Sequence, residues 1–138
     1  MNDGQRIEVY EAISAGQRAL ESLYEARDEL NRARNWGIAD LLGGGAFITY
    51  AKHNKLNQAK NSIARAQQEI KRFSRQINDV SAFEGVDLGI SDFLIFADYF
   101  FDGFVADFLV QQKINEAAAK VEEAIRRVEQ LIAQLKGM

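Results

Sequence analysis

Three consecutive glycines, Gly43, Gly44 and Gly45, stand between two helix-forming segments and are followed by Lys52 and His53. A glycine-rich loop before a helix can hold an anion with its backbone N–H groups, so these five residues form a candidate anion or ligand site. The known phosphate motifs need more, either Gly-Lys-Ser/Thr or a fingerprint that follows a strand. Neither is present, which favours a tight turn in which glycine supplies positive φ.

A second candidate site is the pair Asp98 and Asp102, which are four residues apart and share one face of a helix. Such carboxylates can bind a divalent metal, with His53 as a further ligand. The chain has only one histidine, and it lacks the Glu-x-x-His pairs of di-iron bundles. The helical register places the two aspartates near Arg72 and Arg75 or near Arg6, so a salt-bridged or solvated pair is favoured over a metal site. We predict no metal and no cofactor, with the two aspartates as the candidates if a metal binds.

The sequence carries no constellation that indicates an enzyme. There is no cysteine to act as a nucleophile or thiolate ligand, and the single histidine has no evident partner. We therefore expect a non-enzymatic protein.

The stretch from Phe93 to Phe108 holds six phenylalanines in sixteen residues. A helix built from it is apolar nearly all round, and such a helix is normally buried on all sides. A three-helix bundle cannot cover every side of one member, so we predict an apolar contact surface there. The missing cover could be the loop 81–90, a second copy of the chain or another partner, and a homodimer is favoured, since closed two-fold assemblies are the commonest. The predicted interface residues are Phe96, Phe100, Phe101, Phe104 and Phe108.

The elements that must position these residues are long helices. The chain has no proline and is rich in good helix formers. Apolar periodicity predicts a first helix over about 4–34, a second through about 80, and a third from Ser91 to about 136, with 81–90 as the one long connection. The clearest seams repeat every three and four residues: Leu56, Ala59, Ile63, Ala66, Ile70, Phe73, Ile77 and Val80, then Ile114, Ala118, Val121, Ile125, Val128, Ile132 and Leu135.

The predicted architecture is all-α: a single domain over 1–138 that forms an elongated antiparallel three-helix, coiled-coil-like bundle. In the first helix, Ala12, Ala19, Ala26 and Ala33 with Gly16 form a narrow ridge that lets a neighbour approach closely. The third helix is too long for its partners. A short helical capping segment at about 36–54 is therefore expected to cover its C-terminal end.

Charge is distributed unevenly behind a net charge of −3. Residues 52–75 hold seven lysines or arginines and one acid, whereas residues 76–112 hold seven acids and no base. Pairing of the basic and acidic helices, within or between chains, explains this more simply than nucleic-acid binding. Carboxylates interrupt the longest apolar run, which excludes a membrane span, and residues 1–20 lack a signal-peptide core. We expect a cytoplasmic protein that binds no nucleic acid.

The segments "NWGIADLLGGG", "AKHNKLNQA" and "FADYFFDGFVAD" resemble signatures of an uncharacterised family of small helical bacterial proteins. The resemblance covers residues 35–113 and implies a bacterial, cytosolic setting. It carries over no catalytic or binding residue.

Together these patterns predict a helical interaction or scaffold protein that self-associates through the phenylalanine-rich part of the third helix. The alternative is a ligand- or metal-responsive helical regulator with its site at the glycine-rich turn or at Asp98 and Asp102. A peripheral membrane module ranks last, because the phenylalanine-rich helix is acidic and opposes anionic lipid.

Overall fold

The computed structural model describes residues 1–43, 46–101 and 107–138, with the side chains of 1–34, 57–100 and 112–138. The chain forms the α-helices α1 (Asp3–Gly43), α2 (Ala46–Asn78), α3 (Ser91–Phe101) and α4 (Asp107–Lys136), with a 3₁₀ turn at Ser81–Phe83. No strand occurs in those ranges, so the predicted all-α class is confirmed.

The first two helices are longer than predicted. At the start of α1, the Asn2 side chain accepts a hydrogen bond from the Gln5 N–H, and the Gln5 side chain accepts one from the Asn2 N–H. This reciprocal arrangement caps the helix. The helix then continues to Gly43 rather than ending near Arg34. The prediction of a separate capping segment at 36–54 is wrong. Its residues belong to the end of α1 and to the start of α2, on either side of the glycine run. Helix-forming residues without a proline explain the continuation.

The predicted third helix is two helices, α3 and α4, which run in opposite directions. Asp92 of α3 contacts Lys120 of α4 at 3.0 Å, while Leu88, just before α3, contacts Arg127. The earlier residue of the first segment thus contacts the later residue of α4, and this order is typical of antiparallel neighbours. The prediction of three long helices is therefore corrected to four in the described residues. The sequence left open whether the third helix is unbroken at Gly103, and that residue lies outside the described ranges.

The four helices run alternately up and down. Arg18 and Glu69 approach within 4.0 Å and Glu25 and Arg65 within 3.2 Å, so α1 and α2 are antiparallel. Helix α1 packs on α2 and α4, and α3 packs on the same two helices, so α1 and α3 occupy opposite corners. This arrangement is an up-down-up-down set of helices with α3 as its shortest member.

The predicted seams face the interior. From Ala59 to Val80, every seam residue of α2 is at most 4% exposed. In α1 the alanine ridge is fully buried, and a Cβ built on Gly16 would lie 2.8 Å from Ile132 of α4 and 3.0 Å from Phe73 of α2. The C-terminal end of α4 therefore packs against the start of α1. The expectation that residues 36–54 would cover it is wrong.

The connection between α2 and α3 contributes to the core as well. Phe83, Leu88 and Ile90 are buried in it. Gly85 and Gly89 adopt φ of 72° and 73°, in the left-handed region that favours glycine. These two glycines let the segment fold back so that its apolar side chains point inward.

Candidate functional site

The predicted anion site lies largely outside the described residues. Gly43 ends α1 and α2 begins at Ala46, so the glycine run connects two helices, as a turn would. Gly44 and Gly45 are not described, nor are the side chains of Lys52 and His53. The site therefore stays a prediction.

The carboxylate of Asp98 has a structural partner. The Gln67 side chain is 9% exposed and donates to Asp98 Oδ1 at 2.6 Å and to the Leu94 carbonyl at 3.3 Å. The amide thereby links α2 to α3, and Asp98 satisfies a buried donor. No described residue forms an ion pair with Asp98, so neither Arg72, Arg75 nor Arg6 bridges this carboxylate, which is exposed as the solvated alternative requires. Asp102 lies outside the described residues.

Clusters able to hold a metal were sought through the described part of the chain. No group of three histidine, aspartate or glutamate side chains comes together there. No helix in these ranges is long and apolar enough to cross a membrane.

Two of the predicted interface phenylalanines lie inside the bundle. Phe96 is 8% and Phe100 3% exposed, and their ring centroids are 5.6 Å apart at an interplanar angle of 43°. Such tilted pairs are favourable in cores. Their expected exposure is wrong, because the antiparallel α4 and the preceding loop supply cover that a three-helix arrangement lacks. The side chains of Phe101, Phe104 and Phe108 lie outside the described residues.

Among the described side chains of α3, the large apolar ones that are exposed are Ile95 and Tyr99. They are 57% and 70% exposed and lie one helical turn apart. Phe93, Phe96, Ala97 and Phe100 bury the opposite face. Sequence reasoning missed this pair, although spacings of three and four from Phe93 mark the buried face. Because apolar residues occupy both faces of α3, the usual contrast between them was hidden.

Polar contacts hold α3 against both neighbours. On one side Gln67 bonds to α3 from α2. On the other, Lys120 donates to Asp92 at 3.0 Å, and Arg127 Nε donates to the Leu88 carbonyl at 2.5 Å. The Asp92 carboxylate raises the pKa of Lys120, first by its hydrogen bond and then by its charge. These bonds fix which face of the short helix points outward.

A polar groove with a volume of about 290 Å³ runs between α1 and α2. Arg65 spans it, approaching Glu25 at 3.2 Å and donating to Ser62 at 3.4 Å, while Arg32 pairs with Glu29. The Arg65–Glu25 ion pair therefore joins the two helices across this groove, and the Arg32–Glu29 pair lies within α1.

Comparisons with known proteins give no match: no family model, curated protein or solved structure is significantly similar to this chain. The resemblance to a bacterial family stays a prediction. Any assignment must therefore come from the surface of the bundle itself.

Proposed function

We propose that this protein is a non-enzymatic helical interaction protein that self-associates through the outer face of α3. The observation that carries the proposal is the exposure of Ile95 and Tyr99 on a helix whose other face is fully committed to the core. Side chains of this size exposed side by side favour an interaction surface.

The proposal keeps α3 as the contact element but changes the residues that make the contact. Phe96 and Phe100 position the helix from beneath, and Ile95 and Tyr99 meet the partner. Tyrosine suits this role because its ring buries a large apolar area while its hydroxyl stays hydrogen-bonded at the interface.

The experiment is sedimentation equilibrium of the full chain over a concentration series. We expect a reversible monomer–dimer equilibrium for the wild-type protein. The double variant Ile95→Glu, Tyr99→Glu should be monomeric at concentrations where the wild type is dimeric, because four buried carboxylates would meet at the two-fold contact. Far-ultraviolet circular dichroism should show unchanged helix content.

The chain offers a matched control in Ile7 and Tyr10 of α1, which are 57% and 71% exposed. The variant Ile7→Glu, Tyr10→Glu carries the same chemical change at the same exposure and should remain dimeric. A wild-type protein that stays monomeric at the highest concentration contradicts the proposal. So does a dimer that only the α1 variant disrupts.

A further inference from the structure

The rotation of α3 about its own axis is not set by its apolar residues alone. All of its eleven residues are apolar except Ser91, Asp92 and Asp98. The hydrophobic effect has no direction of its own, and both faces of this helix carry large apolar side chains. Burial of apolar area therefore fixes the rotation of α3 only loosely, and its few polar contacts must supply the rest.

The two aspartates mark the edges of the outer face of α3. At about 100° per residue, Asp92 and Asp98 lie about 120° apart around the helix axis. Ile95 and Tyr99 fall inside this arc. Helix α2 bonds to Asp98 at one edge, and α4 bonds to Asp92 at the other. The exposed pair therefore lies between two polar contacts.

The two polar contacts differ in their surroundings. The side chains of Lys120 and Asp92 are 29% and 66% exposed, and ion pairs that are open to water contribute little. Gln67 is 9% exposed, and its Nε2 donates to the carboxylate of Asp98 at 2.6 Å. A hydrogen bond to an ionised group is roughly twice as strong as a neutral one. The contact from α2 is therefore the stronger of the two.

The same amide nitrogen holds α3 at two successive turns. Gln67 Nε2 donates to the Leu94 carbonyl as well as to Asp98. These two residues directly precede Ile95 and Tyr99 in the chain. Since both partners are acceptors, the nitrogen of the amide must face α3 rather than its oxygen. One buried side chain of α2 thereby holds the two turns that carry the exposed residues.

We infer that Gln67 is the positioning residue that sets the rotation of α3 and thereby selects Ile95 and Tyr99 as the side chains presented outward. The inference rests on the proposed function and adds the residue on which its contact surface depends. Turning α3 one way would bring Tyr99 inward in place of a phenylalanine, and turning it the other way would bring Leu94 inward. Either turn would move Asp98 away from Gln67.

The first test replaces the amide with an apolar group of similar volume. In Gln67→Leu the carboxylate of Asp98 stays exposed to water, so it is not left buried and unpaired, and the free energy of unfolding should change little. The carboxylate should turn away from the new leucine, which rotates Tyr99 inward. The dimer dissociation constant should rise about tenfold. Gln68→Leu makes the same change at an exposed position and should leave the constant unchanged.

The rotation itself is measured by thiol reactivity, since the chain has no cysteine. Ala97→Cys on the inner face of α3 and Tyr99→Cys on its outer face are treated with a thiol reagent at concentrations where the protein is monomeric. Adding Gln67→Leu should raise the reaction rate at position 97 and lower it at position 99, each several-fold. Ala15→Cys probes α1 at a position as fully buried as Ala97 and should keep its rate.

A conservative change at the partner residue tests the bond itself. Asp98→Asn removes the charge but keeps an acceptor for the Gln67 amide. The reaction rates at positions 97 and 99 should therefore stay at their wild-type values. If Asp98→Asn shifts both rates as Gln67→Leu does, the charge of Asp98 rather than its bond to Gln67 sets the rotation, and the inference is wrong.

The remaining outcomes separate the inference from the proposed function. Faster reaction at positions 15, 97 and 99 alike would mean that Gln67 only stabilises the bundle. Faster reaction at position 97 without slower reaction at position 99 would mean that α3 loosens rather than turns. Either result, or unchanged rates throughout, overturns the inference even if the wild-type protein is a dimer. Opposite changes at positions 97 and 99 in a protein that is monomeric at every concentration would support the positioning role and contradict the proposed function.

Discussion

The start of α1 and the middle of α3 each expose an isoleucine and a tyrosine, and the two pairs match closely in exposure. Ile7 and Tyr10 are 57% and 71% exposed, and Ile95 and Tyr99 are 57% and 70%. The residues beneath them differ. Helix α1 buries alanines and Gly16 and approaches its neighbours closely, whereas α3 buries phenylalanines and is held by polar bonds.

The surroundings of the two pairs differ as well. Around Ile7 and Tyr10, α1 itself carries both signs of charge within two turns, at Arg6, Glu8 and Glu11. Around Ile95 and Tyr99, Asp92 and Asp98 lie on α3 itself, and Lys120 lies on the neighbouring α4, where it bonds to Asp92. Exposure alone therefore does not mark an interface. What distinguishes the pair on α3 is the helix that carries it, which is short, buries phenylalanines on its opposite face and is held by polar bonds from both neighbours.

The largest effect is expected from removing the buried support of α3. Phe96→Ala should lower the free energy of unfolding by about 3–5 kcal/mol, because it deletes a buried ring and leaves a cavity. An isolated helix of this length is marginal, so the loss should also weaken dimerisation by displacing the surface on the other side. Urea denaturation and sedimentation equilibrium measure the two effects.

The exposed face of the same helix supplies the control for Phe96→Ala. Tyr99→Ala should change monomer stability by less than about 0.5 kcal/mol, as exposed substitutions do, while still weakening the dimer. Equal destabilisation by the two substitutions would mean that α3 does not divide into a supporting face and a contact face. The comparison with α1 would then lose its basis.

The two faces of α3 also show how much of the fold could be predicted from the sequence. Seam spacing predicted the buried residues of α2 and most of those of α4, because long helices with a regular period leave little choice of face. It failed at α3, where isoleucine and tyrosine on the outer face are as apolar as the phenylalanines inside. The four-helix arrangement was missed for the same reason. The continuous apolar character of the phenylalanine-rich segment predicted one long helix, whereas the chain forms α3 and α4.

The candidate site was partly predictable. Charge asymmetry between α2 and the following segment was visible in the sequence, and so was the importance of α3. The sequence could not show that Asp92 pairs with Lys120 or that Gln67 donates a hydrogen bond to Asp98. Those contacts follow from the reversal of direction between α3 and α4, which brings together residues about thirty positions apart.

The α1 region can be tested separately through its glycines. Gly16→Ala should lower the free energy of unfolding by roughly 1–2 kcal/mol. The added Cβ would lie 2.8 Å from Ile132 and 3.0 Å from Phe73, so overpacking outweighs the gain in helix propensity. Thermal unfolding measures the loss. The dimer dissociation constant should not change, since α1 lies across the bundle from α3.

Gly4 of the same helix is the matched control for Gly16. A Cβ there meets only Asn2 Oδ1, at an ordinary 3.5 Å, so Gly4→Ala should be neutral or slightly stabilising. If Gly16→Ala is tolerated equally well, close approach of the backbones does not hold α1 in place. The proposed contrast between the two regions would then be wrong.

A smaller effect is expected in the loop that leads into α3. Gly85 and Gly89 have nearly the same positive φ, and Gly85 has open space around its Cα. Gly85→Ala should therefore cost only the backbone strain, about 1 kcal/mol. Gly89→Ala should cost about 1 kcal/mol more, because its Cβ would lie 2.8 Å from Arg127 Nε and disturb the bond to the Leu88 carbonyl. Equal losses in chemical denaturation would show that Arg127 does not anchor the loop.

The smallest effect concerns the contact between Asp92 of α3 and Lys120 of α4 and depends on pH. The pKa of Lys120 is raised by its hydrogen bond to Asp92 and by the charge of that carboxylate. A raised pKa in the folded state means that the pair stabilises the protein fully below the unfolded-state pKa of Lys120. The contribution is lost as the pH rises through the folded-state pKa. Asp92→Asn should therefore lower the Tm at neutral pH, and part of that difference should disappear at strongly alkaline pH.

The part of the Asp92→Asn effect that remains at high pH comes from the position of Asp92 in the first turn of α3. A carboxylate in the first turn interacts favourably with the helix dipole, whether or not Lys120 is protonated. Asp79→Asn is the control, since Asp79 is exposed and no described residue pairs with its side chain. Its small effect on Tm should not vary between neutral and alkaline pH. A difference for Asp92→Asn that is constant over the same range would mean that Lys120 does not join α4 to α3 in solution. The outer face of α3 would then lack this anchor on the α4 side.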